Sequence, residues 1–294
     1  MSGALLLAAG VLLRAAAAPA PAAQAVVVAA VENMYAAPDE GAEVVSQATL
    51  GQVVDVLQTS GAFDRVRTPD LYEGWLPRAA VSPYADGAAP RYARGGRAVE
   101  VTSLMAYLYR SAGVETARPL TSAPLATRLE VAADGPGEDW LAVRLPSGEM
   151  AYVQVGDVKA VDPAAPRRRG SPEEVLATAR RFLGVPYLWG GMTARGLDCS
   201  GLVSRVYLAN GVMLPRDADL QFDSPVLAPV ERAALQPADL VFFGRGPKAI
   251  THVGLYVGDG RFVSATIHGT PSVHEDRLDD PHWAPAYQGA RRPR

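Results

Sequence analysis

The chain holds one cysteine, Cys199, and its surroundings have the form of a catalytic centre. Residues 184–201 run Gly-Val-Pro-Tyr-Leu-Trp-Gly-Gly-Met-Thr-Ala-Arg-Gly-Leu-Asp-Cys-Ser-Gly. A glycine-rich approach leads into Asp198-Cys199-Ser200-Gly201, and Leu202, Val203, Val206 and Tyr207 follow at helical spacing. That pattern predicts Cys199 at a helix N-terminus, where free N–H groups and the helix dipole favour a thiolate. About fifty residues downstream, His252 opens the strand-like run His-Val-Gly-Leu-Tyr-Val-Gly-Asp-Gly. Alternation puts His252, Gly254 and Tyr256 on one face and Val253, Leu255 and Val257 on the other. A lone cysteine with a well-framed downstream histidine is the sequence form of a nucleophile and its base. The thiolate would attack an amide carbonyl, and water would hydrolyse the resulting thioester. His252, titrating near neutrality, would take the thiol proton and return it to the leaving amine. The competing reading is an inert buried thiol, which polar Asp198 and Ser200 on either side argue against.

The remaining chemistry-bearing residues are weaker signals. Asp198 either caps the cysteine helix or contacts substrate. Trp189 is expected to be structural, Arg216 and Asp217 structural or a rim ion pair, and His274 and His282 surface residues. Four histidines without ligand spacing give no metal site, and no cofactor is expected.

The elements that must position this pair read as three units. Residues 26–84 carry short β-type runs at Val26–Val31, Gln52–Leu57, Phe63–Arg67 and Gly74–Leu76, separated by turn-rich stretches. Residues 98–162 repeat them. Phe63, Val66, Arg67, Pro69 and Trp75 match Trp140, Val143, Arg144, Pro146 and Tyr152 at an offset of 77, while Val54 and Val56 match Leu129 and Val131 at 75. Two diverged copies of a small barrel explain this. Residues 85–97 and 163–171 read as linkers, and the triple arginine Arg167-Arg168-Arg169 as a solvated part of the second. Ser171, Pro172 and Glu174 form a capping-box signature that opens a helix carrying Val175, Leu176, Ala179 and Phe182. Residues 172–292 form the third unit.

The third unit resembles the NlpC family of bacterial cell-wall cysteine peptidases. The matching residues are Pro186–Gly191, Leu197–Gly201, Leu214–Ala218, Asp239–Phe243 and His252–Tyr256, in the family's order. Gly74-Trp75-Leu76, after a turn and a Val-Arg pair, resembles bacterial SH3-like domains. The implied architecture is multidomain: two small all-β SH3-like barrels followed by an α+β papain-like domain, its cysteine helix packed on an antiparallel sheet. The implied activity is hydrolysis of the γ-D-glutamyl–diamino-acid bond in peptidoglycan stem peptides. Cys199 would be nucleophile and His252 base. Tyr187, Asp198 and Ser200 would bind substrate. The family's third polar residue, most often His, falls at Ser264, a weaker orienter, with His268 four residues on as an alternative. In relatives with two barrels the first reads the free amine of an L-Ala-γ-D-Glu stem; an amine needs an acidic partner, and Glu43, Asp70, Tyr72 and Glu73 are candidates. Fragment recycling is the leading expectation. A murein endopeptidase, or a non-catalytic wall-binding protein with a degenerate peptidase domain, are the alternatives. Whether the diamino acid is diaminopimelate or lysine stays open.

Composition sets outer bounds. Hydrophobic content of 49% supports real cores, and 28 basic against 31 acidic residues give a net charge of −3, with no electrostatic case for nucleic acid. One cysteine excludes an intrachain disulfide framework. Residues 1–25 include an apolar run at 4–13 and a small-residue site near Ala22–Ala25, so an exported, envelope-acting protein is expected, with a cytoplasmic one as alternative. The run is too short to span a bilayer, so no stable membrane insertion is expected. Oligomeric state leaves no pattern to read.

Overall fold

A computed structural model describes residues 23–84 and 92–294. The expected leader lies mostly outside them, as does half of the first expected linker. No helix among the described residues is long and apolar enough to cross a membrane.

The first unit is a seven-stranded antiparallel sheet: β1 (Ala23–Val27), β2 (Val31–Tyr35), β3 (Val44–Thr49), β4 (Val53–Ser60), β5 (Phe63–Arg67), β6 (Glu73–Pro77) and β7 (Val81–Pro83). Its order is β3-β2-β6-β5-β4-β1-β7. Because β1 begins at Ala23 and pairs Ala25 with Val54, the end of the expected leader is part of this sheet. The second unit is β8 (Ala98–Val101), β9 (Met105–Tyr109), β10 (Pro119–Pro124), β11 (Arg128–Asp134), β12 (Trp140–Arg144), β13 (Met150–Gln154) and β14 (Val158–Val161). It has the same order, β10-β9-β13-β12-β11-β8-β14. Alternate apolar residues fill each interior, Met34, Val54, Val66 and Leu76 in the first and Leu108, Leu129, Val143 and Val153 in the second.

The third unit opens with α1 (Pro172–Arg180). Ser171 accepts from the Glu174 N–H, and the Glu174 carboxylate accepts from the Ser171 N–H at 2.7 Å, a closed capping box. A two-stranded ribbon, β15 (Met192–Thr193) and β16 (Gly196–Leu197), leads into α2 (Cys199–Ala209); α3 (Ala218–Phe222) follows. The sheet comprises β17 (Leu227–Val230), β18 (Leu240–Gly244), β19 (Ile250–Gly258), β20 (Arg261–Thr266), β21 (Ser272–Arg277) and β22 (Tyr287–Pro293), ordered β17-β22-β18-β19-β20-β21. Val253, Leu255, Val263 and Val273 face α1 and α2 with Leu202, Val203 and Val206. The opposite face carries Phe243, Phe262, Leu278 and Trp283.

The units interlock. Leu50 of the first sits in the core of the second, and Leu125 and Ala126 of the second sit in the core of the third. In the second expected linker Arg167 is half-buried, while Arg168 and Arg169 are exposed. Arg167 donates to Glu100 at 2.6 Å and to the Ala126 carbonyl, and Arg168 and Arg169 are held by Glu174 and the carbonyl of Pro293. These arginines tie the third unit to the second and to its own C-terminal strand.

Candidate active site

Cys199 is the first residue of α2, and Asp198 is its N-cap. The cap carboxylate accepts from the Gly201 N–H at 2.7 Å and the Gly190 N–H at 3.0 Å. The approach loop lies directly on the helix: a Cβ on Gly201 would come within 2.1 Å of the Gly191 carbonyl oxygen. Gly190, at φ +76°, lies so close to Val44 of the first unit that a Cβ would meet its side chain at 2.8 Å. Glycine is therefore required at both places.

Arg216 organises the floor, and of its two expected roles, structural or a rim ion pair, the structural one holds. It is not on a rim but 1% exposed, the largest fully buried side chain. It forms a two-pronged pair with Asp198 (3.1 and 2.5 Å) and donates to Ser200 Oγ at 2.8 Å and Ser46 Oγ at 3.0 Å. Asp217 is 4.0 Å away, a minor partner. A fork of N–H donors matches a carboxylate, and a buried guanidinium requires one. Asp198 and Ser200 are thus both buried inside this network, with Ser200 donating to Asp198 at 3.3 Å. Gln221, fully buried, donates to the carbonyls of Ser200 and Pro215 and to Ser204, bracing the first turn of α2. The sequence reasoning missed it; its only signal was a polar residue on the inner face of a short amphipathic helix.

The thiol receives the backbone N–H groups of Ser200 and Val253. Val253 follows His252 directly, so the backbone of β19 passes at the sulfur, while the His252 ring turns to the face that carries Trp283. Burial, with the charge of Asp198, pushes the Cys199 thiol up to about 12. Burial, helped by His282 and His274, pushes His252 down to about 3. Here the expectation of a preformed thiolate beside a histidine titrating near neutrality is corrected: desolvation outweighs the helix terminus, and the resting pair is an uncharged thiol and an uncharged imidazole. The His252 ring stacks on Trp283 with centroids 4.7 Å apart and rings 27° from parallel. Its Nε2 is buried without a hydrogen-bond partner.

Ser264 lies on β20, on the same face as His252, opposite His274 of β21. It is fully buried, and its hydroxyl also lacks a partner. Ser264 therefore does not hydrogen-bond His252 in this structure: the short side chain stops short of the ring. His268 does not substitute for it. Its ring stacks on His282 at 3.9 Å and meets the edge of Trp283. His274 is half-buried, bonded to the Ser272 carbonyl at 3.1 Å and paired with Asp276 at 3.4 Å, rather than a plain surface residue.

Tyr187 is half-buried beside the thiol. Burial, then the charges of Cys199 and Asp198, pushes its hydroxyl up to about 12. Trp189 is not packed but 61% exposed, and its Nε1–H donates to Glu43 of the first unit at 3.2 Å. Tyr72 lies against Asp217, and burial raises its hydroxyl. Gln47 accepts from the Met192 N–H at 3.0 Å. Glu43, Ser46, Gln47 and Tyr72 thus make the first unit a wall of the site. Asp70 and Glu73 are drawn elsewhere, Asp70 to Thr68 and Glu73 to Arg65 and Arg67. Among the described residues no cluster of His, Cys, Asp and Glu could hold a metal ion.

Known proteins resemble both the first and the third unit. The NlpC/P60 family matches residues 184–292, and the bacterial dipeptidyl-peptidase SH3 domain matches 34–81. A γ-D-glutamyl-L-lysine dipeptidyl-peptidase of Bacillus cereus is 30% identical over 262 residues, covering 84% of this chain and 74% of its own. Dipeptidyl-peptidase 6 of Lysinibacillus sphaericus is 29% identical over 263 residues, 88% and 93% of the two chains. The crystal structure of an NlpC/P60 family protein from Bacillus cereus superposes with a TM-score of 0.79 at 24% identity, covering 92% of this chain and 99% of that one. With an SH3-like domain ahead of its catalytic unit, the chain belongs to the NlpC/P60 family of cysteine-type peptidases.

Proposed function

We propose that the protein hydrolyses the γ-D-glutamyl–diamino-acid bond of released peptidoglycan stem peptides that carry a free L-alanine amine. The observation that carries this reading is the seating of the first unit against the catalytic unit: Glu43 on Trp189, Ser46 on Arg216 and Tyr72 beside Asp217. A carboxylate held beside the catalytic unit by a second unit suits a short peptide with a terminal ammonium better than a cross-linked polymer. The name of the Bacillus cereus relative supports a γ-D-glutamyl bond, and both relatives' names support dipeptidyl-peptidase action.

In this reading His252 takes the Cys199 proton as sulfur attacks the carbonyl, so charge develops only along the reaction. The Ser200 and Val253 N–H groups stabilise the sulfur, and Tyr187 and N–H groups near Cys199 stabilise the oxyanion. Asp198 and Ser200, fixed by Arg216, shape the D-glutamyl subsite. Glu43, with Tyr72, meets the ammonium. Residues 26–84 and 98–162 act as two SH3-like barrels, and 172–292 as a papain-like catalytic domain, joined by 85–97 and 163–171. The cell envelope is the setting that fits this substrate.

The test incubates the protein, beside a Cys199→Ala control, with L-Ala-γ-D-Glu-meso-diaminopimelate, its L-lysine counterpart and their N-acetylated forms, followed by mass spectrometry. Release of L-Ala-γ-D-Glu from the free-amine peptides alone supports the proposal. Cleavage of the acetylated forms as well would replace it with a murein endopeptidase, and no cleavage of either would reject the substrate class.

A further inference from the structure

A second cavity, away from the thiol, lies where all three units meet. Its volume is about 180 Å³. Four arginines line it, Arg94, Arg128, Arg167 and Arg205, against one carboxylate, Asp70. Glu100, just outside, pairs with Arg128 at 3.3 Å and Arg167 at 2.6 Å but also with Lys159. Positive charge is therefore in excess, in a chain whose net charge is −3.

Arg205 is the least expected of the four. It is 5% exposed and has no carboxylate in contact: Nε donates to the Met192 carbonyl at 2.9 Å and Nη1 to the Leu125 carbonyl at 3.1 Å. Asp70, on the cavity wall, is the acidic group whose charge acts on it. A buried guanidinium hydrogen-bonded only to carbonyls is costly to hold away from water. An independent feature points to the same place. Thr127 lines the cavity, is 5% exposed, and its hydroxyl has no hydrogen-bond partner. Buried hydroxyls are nearly always satisfied. The rest of the wall includes Leu50, Tyr92, Met213 and Leu214.

We propose that this inter-unit cavity is a binding site for a small organic anion, its carboxylate or phosphate group held by Arg205, Arg167 and Thr127 and its apolar part by Leu50 and Leu214. Arg94, exposed at the mouth, draws the anion in. Because Ser46 and Gln47 line the same cavity and also bond Arg216 and the Met192 N–H, an occupant is linked to the catalytic floor through the first unit.

The experiment is calorimetric titration of the full chain in low-chloride buffer with inorganic phosphate and, separately, succinate, alongside melting temperature as a function of each probe. The expected result is saturable one-to-one binding of at least one probe, weakened by salt and unchanged in Cys199→Ala. Preference for phosphate assigns a phosphorylated ligand, preference for succinate a carboxylate. Arg94→Ser should weaken binding several-fold and Arg167→Gln at least tenfold. Thr127→Val, which removes an unsatisfied hydroxyl, should weaken binding while leaving the probe-free melting temperature equal or higher, an outcome a merely structural role would not give. Absence of saturable binding of either probe by folded protein at millimolar concentration would overturn the proposal, as would binding unaffected by both Arg167→Gln and Thr127→Val.

Discussion

The two unpartnered atoms at the base, His252 Nε2 and Ser264 Oγ, make a sharp prediction. When His252 takes the thiol proton, an imidazolium forms whose Nε2–H has nothing to donate to. A carboxamide or imidazole at position 264 would provide an acceptor on the correct face of β20, one strand away. A hydrogen bond to a charged group is worth about 1.5–3 kcal/mol. At 1.36 kcal/mol per tenfold, that is roughly a ten- to hundredfold gain in kcat/KM. The same bond should raise the His252 pKa by roughly one to two units. Ser264→Asn and Ser264→His are therefore expected to be faster enzymes than the natural chain, with thiol alkylation that becomes appreciable at lower pH. Site 264 is fully buried, so overpacking will cost about 1–3 kcal/mol of stability. Melting temperature must be measured beside the rate.

Ser264→Ala is the complementary test. No bond is lost, and an unsatisfied buried hydroxyl, costing about 1–3 kcal/mol, is removed. Activity should stay within about twofold and stability should hold or rise. Steady-state hydrolysis of the free-amine tripeptide and iodoacetamide kinetics across pH give both readouts. A tenfold loss in Ser264→Ala would show that the hydroxyl does serve His252. Unchanged rate and unchanged alkylation profile in a folded Ser264→Asn would refute the reasoning from the other side.

The remaining predictions concern charge. His252 is lower in the fold than its ordinary 6.5, so the unfolded chain binds the proton first; the stability of the neutral ring is complete above pH 6.5 and is lost as pH falls towards about 3. Urea midpoints should fall over that window, and less steeply in His252→Gln. Cys199 is raised, so alkylation of the free enzyme should climb through the alkaline range towards about 12, and a plateau between pH 5 and 8 would contradict an uncharged resting pair. Arg216→Met leaves Asp198 buried and unpaired, which should destabilise by about 3–5 kcal/mol and abolish turnover; circular dichroism melts and the peptide assay check it. Glu43→Gln should raise KM for the free-amine peptide at least tenfold while leaving Cys199 alkylation unchanged, and equal KM values would remove Glu43 from the amine subsite.

What the sequence disclosed and what it hid divide along a physical line. Features set by local backbone were open to inspection. The capping box at Ser171 and Glu174, the N-cap at Asp198 and the alternation through β19 each depend on residues within a few positions of one another. The internal offset of 77 likewise surfaced as two sheets of identical order, because a repeated fold preserves its own spacing. Charge states and long-range partners were not open. Nothing adjacent to Arg216 says that Ser46, 170 residues away, will meet it, or that Trp189 will point outward to Glu43 across 146 residues. Nor does a helix N-terminus reveal how dry it will be, and dryness decided the Cys199 and His252 protonation states against the dipole.

The same division bears on how the site works. The catalytic unit holds Cys199, His252 and a buried ion pair, all within its own sequence. The first unit docks beside them, and docking is fixed by Ser46, Gln47, Glu43 and the close approach of Val44 to Gly190. Ser46 donates nothing to substrate chemistry directly, yet it holds the guanidinium that holds the cap of the nucleophile's helix. A shift of the first unit would therefore change both the reach of Glu43 and the setting of Asp198. In the proposed function, selectivity for short peptides would be coupled to the alignment of Cys199 through one side chain, Arg216. Its complete burial is what makes that coupling stiff, since no water can replace a partner that moves away.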